Sequence, residues 1–169
     1  MKQWYAMRVK PHKERFVRQQ LEEQGAAVFF PAVRVKPVNP RAAKIRPYFP
    51  GYLFVQVDIE QEGVDVFRWL PGVQGLVMFG GVPAAVPETL IAGLRERLQQ
   101  IEAAGGLGRR PSFKPGERVR IVAGPLAGYE AIFDAQLSGE ERVQVLLAFL
   151  SAQPQRVKLD MEDIRKVEE

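Results

Sequence analysis

The feature that most restricts the fold of this chain is a turn with a glycine at each end, between two β-patterned runs. The turn is Gly124-Pro125-Leu126-Ala127-Gly128, and it lies within residues 114–133. Glycine tolerates the backbone of tight turns and proline presets part of it, so the pattern predicts two paired strands. Residues 113–169 are few for a domain but enough for a small barrel. We therefore predict a separate C-terminal domain over 113–169.

One stretch of this tail fits two kinds of secondary structure. The predicted strands cover residues 118–122, 129–137, 142–149, 155–159 and 164–167. Within the third of them, apolar residues also follow the i, i+3, i+4, i+7 spacing of a helix, at Val143, Leu146, Leu147 and Leu150. A short apolar run does not decide between the two periods.

The front of the chain predicts a layered α+β domain over residues 1–102. Strand patterns occur at 4–9, 26–38, 44–48, 52–57, 73–79 and 82–86, and helical patterns at 13–24, 62–70 and 87–102. This order predicts an antiparallel sheet flanked by helices. Residues 103–112 contain three glycines and no apolar periodicity, so they predict a flexible linker.

Positive charge is concentrated in the front of the chain, which includes a predicted long hairpin over residues 26–48 with basic arms and a basic tip. Residues 1–58 carry eleven Lys and Arg against four Asp and Glu, a net charge of +7, whereas residues 113–169 carry eight against ten. A basic region suits a polyanion such as nucleic acid, because each phosphate contact releases counterions. The alternative is that the charges only keep the protein in solution.

Residues for catalysis or metal binding are scarce. The chain has no cysteine and a single histidine, His12, so a Cys/His metal site cannot be assembled. No apolar run approaches the roughly 20 residues of a membrane span. The absence of cysteine fits a reducing compartment. We expect a cytoplasmic protein that is not an enzyme, has no cofactor and does not bind a membrane.

The strand at 52–57 is apolar on both faces. Tyr52 and Phe54 share one face, and Leu53 and Val55 share the other. A sheet with helices on one side needs only one apolar face. The second face is therefore either a surface for a partner or covered elsewhere within the fold.

Several motifs together resemble one protein family. Residues 2–7, 49–55 and 71–73, with Phe79-Gly80, look like the N-terminal (NGN) domain of the NusG family. Residues 114–119 and 124–128 look like its KOW domain, a small SH3-like β-barrel. The run Gly128–Phe133, followed by Leu146-Leu147, is closest to the RfaH-like specialised paralogues.

The resemblance implies a monomeric transcription elongation and antitermination factor. Its N-terminal domain would bind the clamp helices of RNA polymerase and suppress pausing, through Tyr52, Phe54 and Phe79. Upstream or non-template DNA would contact basic residues, with Arg15, Arg18, Arg41 and Lys44 as candidates.

The resemblance also implies a second partner for the KOW domain. Ribosomal protein S10 or the termination factor Rho would bind there, with Tyr129, Phe133, Leu146 and Leu147 as candidate contacts. An RNA- or ribosome-binding module of the KOW type, without polymerase binding, is the alternative function.

In the RfaH-like group the KOW segment can also fold as a helical hairpin that covers the polymerase site. Here Arg46 and Arg142 stand where a stabilising ion pair between the domains would need opposite charges. We therefore predict a barrel rather than a helical tail.

Overall fold

The computed structural model describes residues 1–35, 45–106 and 137–152. The strands are β1 (Gln3–Val9), β2 (Ala27–Phe29), β3 (Ala32–Arg34), β4 (Ile45–Pro47), β5 (Tyr52–Val57), β6 (Val73–Leu76), β7 (Met78–Phe79), β8 (Val82–Pro83) and β9 (Ala85–Val86). The helices are α1 (Glu14–Glu23), α2 (Ile59–Glu62), α3 (Glu88–Ala103) and α4 (Gly139–Ala152). None of the helices in these three ranges combines the length and the apolar character needed to cross a membrane.

The centre of the fold is an antiparallel sheet in the order β2-β5-β1-β6, with β9 also paired to β1. β1 pairs with β5 from Gln3↔Val57 to Arg8↔Tyr52. One end of β1 pairs with β9 at Trp4↔Val86, and the other end pairs with β6. The predicted α+β class, with an antiparallel sheet and flanking helices, is confirmed.

Alternation along β1 and β5 divides the core into two apolar layers. Tyr5, Met7, Leu53 and Val55 pack against α1 through its buried residues Val17 and Leu21. Trp4, Ala6 and Phe54 lie in the other layer, with Leu90, Ile91 and Leu94 of α3 and three buried residues of α4. Burying a large aliphatic side chain stabilises a fold by about 1.5–3 kcal/mol, so both layers contribute substantially. Within the described structure, the second apolar face of β5 is therefore covered.

Two of the three predicted N-terminal helices are confirmed, and the third is wrong. α1 and α3 occupy the predicted ranges. The helix predicted over 62–70 does not form, because the short α2 ends at Glu62 and Gly63 follows it with φ +86°. Residues 64–70 then form consecutive turns, in which Phe67 takes a left-handed φ of +63°. Val66 and Leu70 of this segment are buried in the core, and the half-buried Phe67 packs against it. The apolar spacing at 64, 67 and 70 therefore reflects these turns and not a helix.

Two small hairpins extend from the main sheet. β7 and β8 are joined by Gly80-Gly81, and both glycines have positive φ, as a type I′ hairpin turn requires. β3 and β4 pair from Ala32↔Pro47 to Arg34↔Ile45 and form the base of the predicted basic hairpin. The hairpin base contacts the end of α3, where Ile101 and Val33 share the core and Arg34 Nε lies 3.4 Å from Glu102 Oε1.

The residues predicted to begin the linker are part of the folded unit. α3 continues to Ala103, and the Gly106 N–H donates to the Ile101 carbonyl at 2.9 Å. Gly106 has φ +107°, and a Cβ at this position would stand 2.7 Å from the Arg34 carbonyl oxygen. Chain 104–106 is thus packed against the hairpin base.

The strand predicted over Arg142–Phe149 is wrong, because these residues lie inside helix α4. Ser138 caps the helix: its hydroxyl accepts from the Glu141 N–H at 3.1 Å, and its own N–H donates to Glu141 Oε1 at 2.9 Å. This reciprocal pair is a capping box. Apolar residues on one side of the helix are buried against the sheet, so the helical period prevails through tertiary packing. Apart from Leu137, the other four predicted tail strands lie outside the described residues.

Candidate functional site

The residues predicted for polymerase binding lie in one aromatic cluster on the α3 side of the sheet. Phe54 is fully buried, and the half-buried Tyr52 and Phe79 pack against the same cluster. Phe54 contacts two further rings: Phe29 is stacked on it at 6.0 Å between centroids, and Phe49 meets it edge-on at 6.0 Å. The structure therefore brings the three predicted residues together around Phe54.

Helix α4 lies over this aromatic cluster. Leu146, Phe149 and Leu150 are buried in it, and half-buried residues beside them pack on its edge: Val143, Val145 and Leu147. At the start of the helix, Gly139 lies against Pro50, so close that a Cβ at this position would stand 2.8 Å from the proline Cγ. The aromatic face is thus occupied by a segment of the same chain.

Arg142 anchors the first turns of α4. Its contacts differ from the ion pair between the domains that the sequence analysis considered at this position. Its side chain is only 5% exposed. Its Nε–H donates to the Tyr48 carbonyl at 2.9 Å, its guanidinium lies 4.1 Å from the centre of the Tyr48 ring, and an Nη1–H donates to the Leu137 carbonyl. Arg46 remains exposed on β4. The expectation that Arg142 disfavours a docked helix is therefore wrong, because a ring and carbonyls take the place of the expected carboxylate.

The buried carboxylate of Glu14 holds Gly51, at the far end of the segment that begins at Tyr48. Glu14 of α1 is 5% exposed, and its Oε2 accepts from the Gly51 N–H at 2.9 Å. The Gly51 carbonyl in turn accepts from the Val9 N–H at 2.9 Å. The segment Tyr48–Gly51, which we call the 48–51 turn, is therefore held by α4 at its start and by α1 at its end.

The predicted nucleic-acid residues of α1 are accessible. Arg15 and Arg18 are both exposed, and Arg18 forms a surface ion pair with Glu22 at 3.5 Å. They lie on the helix that covers the opposite face of the sheet from α4. Arg41 and Lys44 lie outside the described residues.

Of the four residues predicted to contact a partner of the KOW domain, two lie within the described residues and two lie outside them. Leu146 is buried and Leu147 is half-buried, both on α4, whereas Tyr129 and Phe133 lie outside the described residues. In the described arrangement, Leu146 faces the aromatic cluster and is not accessible to another protein.

Sequence reasoning did not single out Glu14, and it did not pair Tyr48 with Arg142. The only available signals were the position of Tyr48 beside the quoted motif 49–55 and the isolation of Glu14 between Lys13 and Arg15. Trp69 is 69% exposed in the turns that replace the predicted helix. In the parts of the chain that the structure describes, no group of three or more His, Asp or Glu residues is placed to hold a metal ion.

Comparisons with known proteins match this chain to a family model and to relatives that are described as NusG. The family model described as "Transcription termination factor nusG" matches residues 2–95. Three curated relatives are each named transcription termination/antitermination protein NusG. The Pasteurella multocida protein is 29% identical over 87% of this chain and 80% of its own length. The Escherichia coli protein is 30% identical over 86% and 81%. The Pseudomonas aeruginosa protein is 26% identical over 98% and 99%.

One solved structure, described as "Domain interaction in Thermotoga maritima NusG", is also similar to this chain. It has a TM-score of 0.40 and 21% identity, and the match covers 75% of this chain and 76% of that one.

Proposed function

Because the chain belongs to the NusG family of transcription termination and antitermination factors, we propose that it acts on elongating RNA polymerase through the face around Phe54. In this proposal the face binds the clamp helices of the polymerase, and the bound protein suppresses pausing. The family consists of transcription factors and not enzymes, and so the chain is not an enzyme.

The observation that carries the proposal is the occupied aromatic face. Three buried residues of α4 belong to the same apolar cluster as Phe54, and the half-buried Tyr52 and Phe79 pack against that cluster. A face that accepts the apolar side of one amphipathic helix has the shape and chemistry to accept another. A clamp helix of the polymerase and α4 cannot occupy this face together, so polymerase binding requires that α4 leaves. The equilibrium of polymerase binding is therefore linked to the equilibrium of α4 docking.

The basic residues supply a second contact in this proposal. Arg15 and Arg18 are exposed on α1, on the far side of the sheet from α4, so they are free to approach DNA whether or not α4 is in place. Arg41 and Lys44, which the sequence predicts to lie on the basic hairpin, would extend the same contact toward upstream or non-template DNA. Lys and Arg on two separate elements would fix the orientation of the domain on the polymerase.

For the C-terminal region we propose a KOW domain over residues 113–169 that recruits ribosomal protein S10 or Rho. Leu146 and Leu147 would become accessible to such a partner only after α4 has left the sheet. An attached segment that covers the polymerase site supports the closer resemblance to the RfaH-like paralogues. It follows that polymerase binding and partner recruitment become possible together.

A pull-down with purified core RNA polymerase tests the proposal. Phe149→Glu places a charge in the apolar contact of α4 and should release the helix, so we expect it to raise polymerase binding at least about tenfold, because the face no longer has to be vacated. Adding Tyr52→Ala and Phe79→Ala to this variant should remove the gain, whereas adding Arg15→Ser should leave core binding in place. If Phe149→Glu leaves binding unchanged and the aromatic substitutions have no effect, the proposed site is wrong. If the chain binds RNA and does not bind the polymerase, the alternative function as an RNA- or ribosome-binding module of the KOW type is favoured.

A further inference from the structure

The 48–51 turn contains a binding site for one particular side chain. The Tyr48 ring is fully buried when α4 is docked, and it presents one face to the guanidinium of Arg142 at 4.1 Å. The carbonyl of the same residue accepts the Nε–H at 2.9 Å. Ring and carbonyl together satisfy the stacking surface and the donor edge of a planar guanidinium.

This site belongs to the sheet domain and is held in place independently of α4. Its ring meets Phe49 edge-on, with centroids 5.2 Å apart and planes at 89°. The Tyr48 N–H donates to the Pro31 carbonyl at 2.9 Å, which fixes the backbone that carries the acceptor. Glu14 holds the far end of the turn through Gly51. Any helix that replaces α4 therefore meets the same ring and the same carbonyl.

The buried face of α4 shows which sequence suits this surface. Arg142, Leu146, Phe149 and Leu150 stand at positions i, i+4, i+7 and i+8 and are all buried. This spacing puts the arginine one turn before the apolar residues, on one side of a helix. Arginine is seldom buried without a stacking or hydrogen-bonding partner, so its place here reflects the site beneath it.

We propose that Tyr48 forms a guanidinium-binding subsite of the aromatic face, and that a partner helix docking there presents an arginine one turn before its apolar residues. Lysine does not meet the same requirement, because an ammonium has neither the flat surface for the ring nor an Nε–H at that position. The part of the inference that concerns a partner rests on the proposed function. The selectivity of the Tyr48 site does not.

A peptide-binding experiment on the full chain tests the subsite. The chain carries Arg142→Gln and Phe149→Ala, which weaken its own α4. The probe is a fluorescein-labelled peptide of residues 137–152 with the natural sequence, compared with Arg142→Lys and Arg142→Met peptides by fluorescence polarisation. We expect the natural peptide to bind at least about tenfold more tightly than either, as a stacked and hydrogen-bonded arginine requires.

Substitutions at Tyr48 distinguish the contribution of its ring to peptide binding from the contribution of apolar packing. Tyr48→Phe keeps the ring and the carbonyl and should keep the preference for arginine, and Tyr48→Leu should reduce it while the Met peptide binds as before. Equal binding of the Arg and Lys peptides overturns the proposal, since the site would then read charge alone. Failure of the natural peptide to bind overturns it too. Polymerase binding is measured separately, so a selective subsite without polymerase binding would reject the proposed function and leave this inference intact.

Discussion

Glu14 and Arg142 are both charged, both about 5% exposed, and both bonded to backbone groups of the 48–51 turn. Hydrogen bonds that involve a charged group contribute more than neutral ones, and the loss of one partner leaves the other buried without compensation. At the scale of single residues, the conformation of this turn therefore depends on two side chains from opposite layers of the fold.

We expect Glu14→Ala to lower the free energy of unfolding by about 1–3 kcal/mol, because the Gly51 N–H loses its acceptor. Glu14→Gln keeps an acceptor oxygen and should cost less. Urea unfolding followed by tryptophan fluorescence measures both. The matched control is Glu22→Gln on the same helix, whose ion pair with Arg18 lies on the surface and should change stability by less than about 0.5 kcal/mol. Equal effects at positions 14 and 22 would contradict this role of Glu14.

Gly106 and Gly80 form a second matched pair. Both have positive φ, but a Cβ at Gly106 would meet the Arg34 carbonyl at 2.7 Å, whereas a Cβ at Gly80 has nothing within 4 Å. Gly80→Ala should cost about 1 kcal/mol from backbone strain alone, and Gly106→Ala clearly more, about 2 kcal/mol or above, because the hairpin base must also shift. Thermal unfolding of both variants checks this, and similar losses would show that the packing of 104–106 on the hairpin is unimportant.

At the scale of elements, α4 forms where a strand was predicted, and its first turn shows why a helix can begin there. Ser138 and Glu141 satisfy two backbone N–H groups reciprocally, and hydrogen bonds from Ser138 lower the pKa of Glu141. Because the pKa is lower in the folded state, the stabilisation from this carboxylate is present above its unfolded pKa. It is lost as the pH falls through the folded value.

The capping box therefore predicts an acid-sensitive helix start. The difference in unfolding free energy between the natural chain and Glu141→Gln should be largest near neutral pH and should shrink as the pH falls through the carboxylate range. Urea midpoints measured at several pH values test this. A difference that stays constant down to low pH would show that the Glu141 charge does not support α4. Ser138→Ala should cost about 1 kcal/mol, as expected for the loss of an N-cap.

Periodicity predicted the elements whose environment is one-sided, and it failed where tertiary contacts decide. α1 and α3 were recognisable because their apolar residues lie on one stripe with the helical period. The run Leu146–Leu150 fits both periods, and only the cap at Ser138 and the aromatic face beneath it determine the helix. Of the site, Tyr52, Phe54 and Phe79 followed from the family resemblance. The Arg142–Tyr48 contact joins residues 94 positions apart, and nothing in the local sequence indicates it.

At the scale of the whole molecule, the sheet is a partition between two layers. α1 and its exposed arginines lie on one side, and α4 lies on the other with α3. Removal of α4 takes away Leu146, Phe149 and Leu150 from one layer and leaves the packing of Val17 and Leu21 in the other unchanged. The molecule should therefore have a partly open state in which the sheet remains intact.

Amide hydrogen exchange tests for this open state. Phe149→Ala, which removes a buried ring, should strongly reduce protection in residues 139–152 while β1 and β5 keep theirs, because local opening needs less free energy than global unfolding. Ala148→Ser on the exposed side of α4 is the control and should leave protection unchanged. Uniform loss of protection in the helix and the sheet would mean that α4 and the sheet unfold as one unit.

The contacts of the 48–51 turn offer a way to distinguish molecules in which α4 is docked from molecules in which it is not. Departure of α4 removes the cation beside the tyrosine ring, while the glycine three residues later keeps its carboxylate partner on α1. A fluorinated tyrosine introduced at Tyr48 would thus change its magnetic environment when α4 leaves the sheet. In the absence of polymerase, such a label would count closed and open molecules directly.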